Sequence, residues 1–392
     1  MAELLSIDEA LRRVLAAVRP LPGENIETAA ASGRVLAERA AATVDLPPFD
    51  SSAMDGFALR AADTPGELPV VARIAAGRPA GRGLAPGEAM GIATGGVVPE
   101  GADAVVPIEL VTEEGDRLSV PDPVPAGANL RPRGGDVHAG EPVVPGGTLL
   151  HPHHLAALLA AGIGSLRVGS RPRVAILATG SELRPAGTPL EPGQVYDANG
   201  PMLAAQAARA GAEPARLASV ADDDAAHRDA LDRGLRHDVL VTSGGVSVGP
   251  HDLVRTVGAE LGIEEVFWGI AMRPGRPLWF GTRGATLVFG LPGNPVSSFV
   301  CFELFVRPAL LALQGHASPE PRFEPGTLSD PVRRNEARDD LVRARRRPDG
   351  LAPITGQESH MITRAATADA LVLVPRGEGE LAAGDTVQFL RI

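Results

Sequence analysis

Residues 238–252 read DVLVTSGGVSVGPHD, and this stretch decides the fold class. Asp238 to Thr242 is a short, β-branched apolar run of the kind that fills a buried parallel strand. It breaks into Ser243-Gly244-Gly245, where glycine lets the backbone take positive φ and approach a ligand closely. His251 to Leu261 follows with Leu253, Val254, Val257 and Leu261 at helical spacing. Strand, glycine turn and helix N-terminus in that order predict an anion or nucleotide site in an open α/β sheet.

Other readings of the stretch are weaker. Gly245 to Gly249 fits G-x-S-x-G, which would make Ser247 a hydrolase nucleophile. The turn is already made by Ser-Gly-Gly, however, and His316 and His360 are the only histidines far enough downstream. No Gly-Lys-Ser/Thr follows, which excludes a P-loop. A glycine turn that merely connects strand to helix is the plain alternative.

The same alternation of strand and helix extends outward from Arg173. Strands are expected at Val174 to Ala178, Ala215 to Val220, Val239 to Thr242, Glu265 to Ile270, Leu278 to Gly281 and Thr286 to Phe289. Helices are expected at Asn199 to Ala210, Asp224 to Leu235, His251 to Leu261 and Asn294 to Ala312. This predicts a three-layer, mainly parallel domain whose site lies off the strand C-termini. Polar clusters fall there: Thr179-Gly180-Ser181-Glu182, Asp222-Asp223-Asp224, Ser243-Gly244-Gly245, Arg273-Pro274-Gly275-Arg276-Pro277, and Pro292 to Ser298. Arginines, bare N–H groups and carboxylates on one edge suit a phosphate with bridging Mg²⁺.

Towards the N-terminus, Ser6 to Val18 reads as an amphipathic helix with Ser6 and Glu9 in a capping box. Arg34 to Ala41 reads as a second helix. Pro47 to Ala58 (PPFDSSAMDGFA) cannot be helical and offers Asp50 and Asp55 as ligand carboxylates or as turn-makers. Short strands with Gly/Pro turns between Leu68 and Pro121 predict a small all-β domain. Arg131 and Arg133 stand beside Asp136 in LRPRGGD and are open to two readings, solvated surface or anion ligands. His151-Pro152-His153-His154 is read as the first turn of a helix rather than a metal site, since no ligand spacing accompanies it. Beyond Pro325, strands at Asp340 to Arg345, Leu351 to Pro353, Ala370 to Val374 and Thr386 to Leu390 predict a small β-barrel or sandwich. Gln357 to Met361 is its one notable polar loop.

Composition narrows the function classes. The chain has 392 residues, a net charge of −11 and no lysine, so all 37 basic residues are arginine. That acidic balance argues against a general nucleic-acid binder while leaving room for a local arginine pocket. Cys301, the single cysteine, excludes a disulfide framework and reads as inert packing. No apolar run is expected to reach the roughly 18 residues of a membrane helix, and the acidic N-terminus lacks a basic signal start, so the simple expectation is a cytoplasmic protein without membrane or nucleic-acid partners.

PPFDSSAMDGFALR, IATGGVVPEGADAVVP, LRPRGGDVHAG, ILATGSEL, VYDAN, TSGGVSVGPHD, RPGRP and GLPGNPVSS occur in this order along the whole chain. In that order they resemble the molybdopterin molybdenumtransferase (MoeA) family. The resemblance implies an elongated homodimer with a four-domain subunit: residues 1–46 with 130–170 as linker and dimerisation domain, 47–129 as an inserted β domain, 171–315 as the α/β molybdopterin-binding domain, and 316–392 as a C-terminal β-barrel. It implies Mg²⁺-dependent insertion of molybdate into adenylylated molybdopterin, with release of AMP and formation of molybdenum cofactor. An adenylyltransferase supplies the substrate upstream, and apo-molybdoenzymes or their chaperones take the product.

The same resemblance carries residue roles. Thr179, Glu182, Asp222, Ser243, Gly244, Gly245, Ser247 and Asp252 line the pterin and nucleotide pocket, with Pro292 and Pro295 as its wall. Glu182, Asp222 and Asp252 are the carboxylates placed at Mg²⁺. Asp55, Thr94, Arg131 and Asp136 close the pocket from the partner subunit. Molybdate sits by Arg273, Arg276, Pro277, Arg343 and Ser359. The family usually carries lysine where this chain has Arg273 and Arg276, a flexible point charge replaced by a planar fork. Two rival readings are a molybdopterin adenylyltransferase and a non-catalytic binding or scaffold protein.

Overall fold

Val239–Ser243 is a strand with all five residues buried, as an apolar run covered on both faces requires. The structure, a computed structural model, describes residues 4–218, 224–245 and 253–392. The strand lies inside a six-stranded sheet ordered Glu213–Arg216, Arg173–Ala178, Val239–Ser243, Thr286–Leu291, Trp279–Arg283 and Glu264–Trp268. The first four strands are mutually parallel. Trp279–Arg283 runs antiparallel to both its neighbours, because it forms a tight hairpin with Thr286–Leu291, and the edge strand Glu264–Trp268 therefore points the same way as the first four.

Period-2 alternation sends neighbouring side chains to different cores. Val239 and Val241 join Val174, Ile176, Leu203 and Ala207 in one cluster with the residues of Val296 to Leu313. Leu240 joins Ala175, Leu177, Ala230, Leu231, Val254 and Val257 in another. The parallel strands therefore end together, and the turns after them share one edge.

The expected helix at 294–312 is present as Pro295–Cys301, a π turn over Phe302–Val306, and Arg307–Leu313. Pro308 has no amide to offer the carbonyl four residues earlier, which accounts for a break in regular α bonding there. Contrary to expectation, Pro295–Leu313 does reach membrane-spanning length and apolarity, with mean hydropathy 1.7. Its most apolar window is 83% buried inside the fold, so it is a core helix against the sheet.

The N-terminal helix forms as Ile7–Ala17, with Ser6 Oγ accepting from Glu9 N–H at 3.2 Å. The return half of the expected capping box is replaced, since the Glu9 carboxylate accepts from Arg12 and Arg13. Ala10 and Val14 are buried in the core of the α/β unit, so this helix packs there rather than on the residues that follow it.

Arg34 to Ala41 is not a helix. Its amides pair outward instead: Leu36 N–H donates to Thr148 O and Ala37 N–H to Arg167 O, and Ala40–Ala41 pairs with Pro142–Val144. Gly23–Glu27 pairs with Ser165–Gly169, which joins the two flanks of an inserted segment into one body. The insert carries its own six-stranded sheet, centred on Gly56–Leu59, Ala89–Ile92 and Gly66–Ile74.

The C-terminal segment is β-rich, with Asp339–Arg347, Ala370–Val374, Thr386–Arg391 and Glu324–Thr327 as successive neighbours. Gly350–Pro353 pairs with the outer part of Asp339–Arg347, and a single bridge joins Leu328 to Leu351. Met272–Arg273 of the α/β unit adds to this sheet as a parallel neighbour of Asp339–Asp340. The whole is a multidomain fold of mixed α/β sheets with a β-rich C-terminal domain.

Gly56, which follows Asp55 in the inserted sheet, packs directly on a neighbouring strand. A Cβ there would lie 2.0 Å from Val106 O. Gly56→Ala is expected to destabilise the inserted domain by about 1–3 kcal/mol or more, as overpacking does. A melting temperature indistinguishable from wild type would contradict this.

Candidate functional site

The strand-end turns behave as their residue types require. Gly244 and Gly245 adopt φ of +96° and +68°. Gly244 N–H donates to Leu291 O, and a Cβ on Gly244 would meet Thr179 Oγ1 at 2.8 Å. Thr179 N–H and Oγ1 both donate to Ser243 O, at 3.0 and 3.3 Å. The hydroxyl of Ser243 is buried and accepts from Asn199 Nδ2 at 2.8 Å, with Ser298 Oγ 3.2 Å away. Asn199 Nδ2 also donates to Gly293 O at 2.7 Å. The side chains of Thr179 and Ser243 thus knit the turns after three strands together. Glu182 is exposed beside Gly180. Asp222, Ser247 and Asp252 lie outside the described residues.

Beside these turns is a cavity of about 520 Å³ whose lining includes Arg273, Arg276, Pro277, Pro292, Asn294, Ser297, Arg338 and Ser359. Pro292 links it to the glycine turn, because Pro292 O accepts from the hydroxyls of Ser298 and Ser243. Pro295 opens the core helix next to it. Asn294 Nδ2 donates to Ser359 Oγ at 2.8 Å and Val296 N–H to Ser359 O at 3.1 Å. The loop from the C-terminal domain is thereby seated on the α/β unit.

Arg273 turns its fork towards Asp340, with Nε 3.0 Å from Oδ1 and a terminal nitrogen bonded to the other oxygen. Asp340 is 1% exposed. Burial pushes its carboxyl above the usual aspartate range, and the Arg273 guanidinium beside it works the other way. Gly275, with φ of +107°, leaves no room for a Cβ against Cys301 Sγ, so the Pro-Gly-Arg-Pro turn rests on the buried cysteine. Burial raises the Cys301 thiol well above its usual range, which fits inert packing.

Arg343, expected beside molybdate, is buried and is not among the residues lining this cavity. Its side chain is 1% exposed, and Nη2 donates to Gly356 O (2.9 Å) and Glu358 O (3.3 Å), Nη1 to Met361 O (3.1 Å) and Nε to Gln357 Oε1 (3.3 Å). It clamps the loop that carries Ser359 from beneath and does not face the cavity. Burial lowers its affinity for its proton, with Glu358 opposing.

Asp55, Thr94, Arg131 and Asp136 are all exposed on the inserted domain and its flank, and none lines this cavity. The Asp55 carboxylate accepts from Thr94 N–H at 2.7 Å. Leu130–Arg131 pairs with Ser51–Ser52, which brings Arg131 to the same side of the chain. Asp50 and Arg133 are structural here, since Asp50 Oδ1 accepts from Arg133 N–H. Among the histidines at the start of Pro152–Ala160, His154 Nδ1 accepts from His151 N–H, as a helix first turn would have it. The residues missed from sequence are Arg338, Asp340, Asn199 and Asn294. Arg338 and Asp340 were hidden in the charge run Arg333 to Arg347, which reads as a solvated face.

Two outcomes follow from this geometry. Arg343→Lys replaces a planar fork by a single ammonium and leaves buried carbonyls unpaired, so a loss of about 2–3 kcal/mol and a lower melting temperature are expected. Unchanged melting would contradict the clamp. The Asp340 carboxyl holds its proton more tightly folded than unfolded, so its ionised form disfavours folding above the raised value, and the penalty falls away as pH drops through it towards the ordinary 3.8. Wild type should therefore gain melting temperature relative to Asp340→Asn as pH is lowered across that window, whereas a pH-independent difference would contradict it.

Comparison with known proteins bears on the whole chain. Residues 5–162 match the MoeA N-terminal region (domain I and II), 175–312 a probable molybdopterin binding domain, and 325–392 the MoeA C-terminal region (domain IV). Molybdopterin molybdenumtransferase 2 of Mycobacterium tuberculosis is 36% identical over 98% of both chains. The molybdopterin molybdenumtransferase of Synechococcus elongatus is 35% identical over 98% of this chain and 99% of its own. The crystal structure of the molybdopterin biosynthesis MoeA protein of Pyrococcus horikoshii OT3 superposes with a TM-score of 0.87 at 30% identity, covering 100% of both chains. With matches of this extent, and with the glycine turn and the RPGRP and PGNP turns gathered at one strand-end edge, the chain belongs to the MoeA family.

Proposed function

We propose that this protein is a molybdopterin molybdenumtransferase that inserts molybdate into adenylylated molybdopterin, releasing AMP and yielding molybdenum cofactor. The observation that carries the reading is the cavity at the strand ends, where arginines and hydroxyl and amide donors stand beside a positive-φ glycine turn. Molybdate is a tetrahedral dianion, and such an oxyanion is held by charge-assisted donors. Arg276 and Ser359 serve as donors there, Arg273 as a fixed wall, and Pro277 and Pro292 as apolar sides.

The pterin and nucleotide take the adjoining edge at Gly244 and Gly245, whose backbone N–H groups suit phosphate oxygens. Glu182, with Asp222 and Asp252, is proposed to hold Mg²⁺. An exposed carboxylate at a strand end is chemically suited to this hard cation. When bound, magnesium neutralises phosphate charge. The protein's own residues bind, orient and exclude water, so that rate comes from positioning and electrostatics without a covalent nucleophile.

Asp55, Thr94, Arg131 and Asp136 are exposed and outside the cavity, which supports a homodimer in which they close the partner's site. The proposed division is 1–46 with 130–170, 47–129, 171–315 and 316–392, with the helix Ile7–Ala17 reaching across to the α/β domain. Core clusters on both sheet faces support a three-layer α/β/α domain, and the Leu328–Leu351 bridge supports a closed C-terminal barrel. An adenylyltransferase upstream, apo-molybdoenzymes or their chaperones downstream, and a cytoplasmic location complete the reading.

The test uses purified protein loaded with adenylylated molybdopterin, followed for AMP release as molybdate and Mg²⁺ are added. Molybdate-dependent release is expected, with Arg276→Ala about 100-fold slower, the scale of one lost charge-stabilising donor. Synthesis of adenylylated pterin from ATP, with no response to molybdate, would replace this reading by an adenylyltransferase.

A further inference from the structure

The strand Asp339–Arg347 carries a row of guanidiniums on one face, because alternate residues share a face and Arg343, Arg345 and Arg347 stand two apart. The fold uses them to different degrees. Arg343, buried beneath the loop 356–361, has four acceptors on that loop. Arg345 is exposed and has one, Thr367 O, to which its Nε donates at 2.9 Å. Arg347, exposed at the end of the strand, makes no side-chain hydrogen bond or ion pair among the described residues. Arg346, on the opposite face, is matched by Asp369 at 3.4 Å.

The free end of this row opens into a groove of about 510 Å³, whose lining shares no residue with the cavity at the strand-end edge. Pro353 and Ile354 give the groove an apolar part, and the short helix Ile362–Ala365 contributes Arg364. Arg364 likewise makes no side-chain hydrogen bond or ion pair among the described residues. Its stem lies over Gly356, where an added Cβ would meet Arg364 Cγ at 3.3 Å. The lining thus holds three arginines, three threonines and no carboxylate. Elsewhere on this chain of net charge −11, exposed arginines such as Arg236 and Arg391 are matched by Asp232 and Glu324. Three guanidiniums without acids around one groove are a local excess of positive charge that attracts an anionic partner.

We propose that this groove docks an extended acidic segment of a partner protein. Arg345 and Arg347 are separated by two strand rises, about 7 Å, which is also the spacing of alternate side chains in an extended segment. Carboxylates at alternate positions of such a segment meet the two forks in register, with Arg364 as a third donor. All six polar side chains of the lining are exposed, which suits a chain laid across a surface and not a small anion enclosed in a pocket. The groove and the cavity are two sides of one loop. Thr355 of the groove precedes the loop 356–361 and Thr363 follows it, while Ser359 and His360 of that loop line the cavity. A partner docked in the groove therefore lies against the back of a cavity wall without entering the cavity. The inference does not depend on the transferase reading.

The experiment follows the fluorescence anisotropy of a short labelled peptide of alternating glutamate and threonine as the purified full chain is added. Binding is expected at low ionic strength and should weaken as salt is raised. Arg347→Gln with Arg364→Gln is expected to weaken it about fivefold or more, the scale of two exposed charge pairs. Arg19→Gln with Arg39→Gln, which removes two exposed charges elsewhere, should change it less than about twofold. The melting temperature and molybdate-dependent AMP release of the Arg347/Arg364 variant should stay at wild-type values, since neither residue lines the cavity. No binding by the wild type, or equal losses in the two double variants, would overturn the proposal and leave the transferase reading standing. A lower oligomeric mass of the Arg347/Arg364 variant by light scattering would assign the groove to a second copy of the chain and overturn it. Tighter binding of tripolyphosphate or single-stranded RNA than of the peptide, lost in the same variant, would assign the groove to a phosphate ligand and overturn it as well.

Discussion

The site depends on a two-residue seam. Met272–Arg273 pairs in parallel with Asp339–Asp340, and this pairing is where the C-terminal sheet is joined to the α/β unit. A parallel ladder of two residues is weak by itself. What fixes it is the buried Asp340 carboxylate, which would be costly to enclose without the Arg273 fork, and the Asp339 N–H to Ala271 O bond alongside. One interaction therefore sets two things together: the angle of the C-terminal domain and the wall of the cavity.

Around that seam the cavity is built from both sides by hydrogen bonds of unequal burial. On the α/β side, Asn199, Ser243, Ser298 and Pro292 bind the turns after three strands into one polar knot, most of it inside the protein. On the C-terminal side, Arg343 collects carbonyls of the loop 356–361 from below, which leaves Ser359 facing Asn294. The loop network engages all three nitrogens of the Arg343 guanidinium, whereas in the knot Asn199 commits only its Nδ2 and keeps a buried Oδ1 without a partner.

Much of this was legible from residues alone, for reasons that differ by element. VLVT announces a buried strand because four adjacent apolar or β-branched residues have no other economical home, and Ala370 to Val374 does so again. The glycine turns were legible because positive φ restricts what can stand there. Arg34 to Ala41 was misread because its helical spacing is real, while its amides find partners more than a hundred residues away at Thr148 and Arg167. Local pattern carries no information about such partners. Asp340 was missed for a related reason: in DDLVRARRR a charge next to other charges gives no sign of burial, and Arg343 was placed at molybdate by resemblance alone. A signal was available, since Arg343 shares a strand face with Leu341, and a charge on an inward position calls for an internal partner.

The absence of lysine gives the seam a further meaning. A lysine at position 273 would present one compact ammonium, able to meet either a carboxylate or a ligand oxygen but not to grip both oxygens of Asp340. Arginine grips both, and so it is less available to a ligand and better as a fixed surface. A chain whose cations are all arginine can therefore keep a charged cavity only if some guanidiniums are tied down and others are left without acids. Along this edge Arg273 is tied to Asp340 and Arg343 to loop carbonyls, whereas Arg276 makes no side-chain hydrogen bond or ion pair among the described residues. Changing a usual lysine to arginine is then a change in the division of labour between wall and ligand, with Asp340 as the residue that decides on which side of that division Arg273 falls.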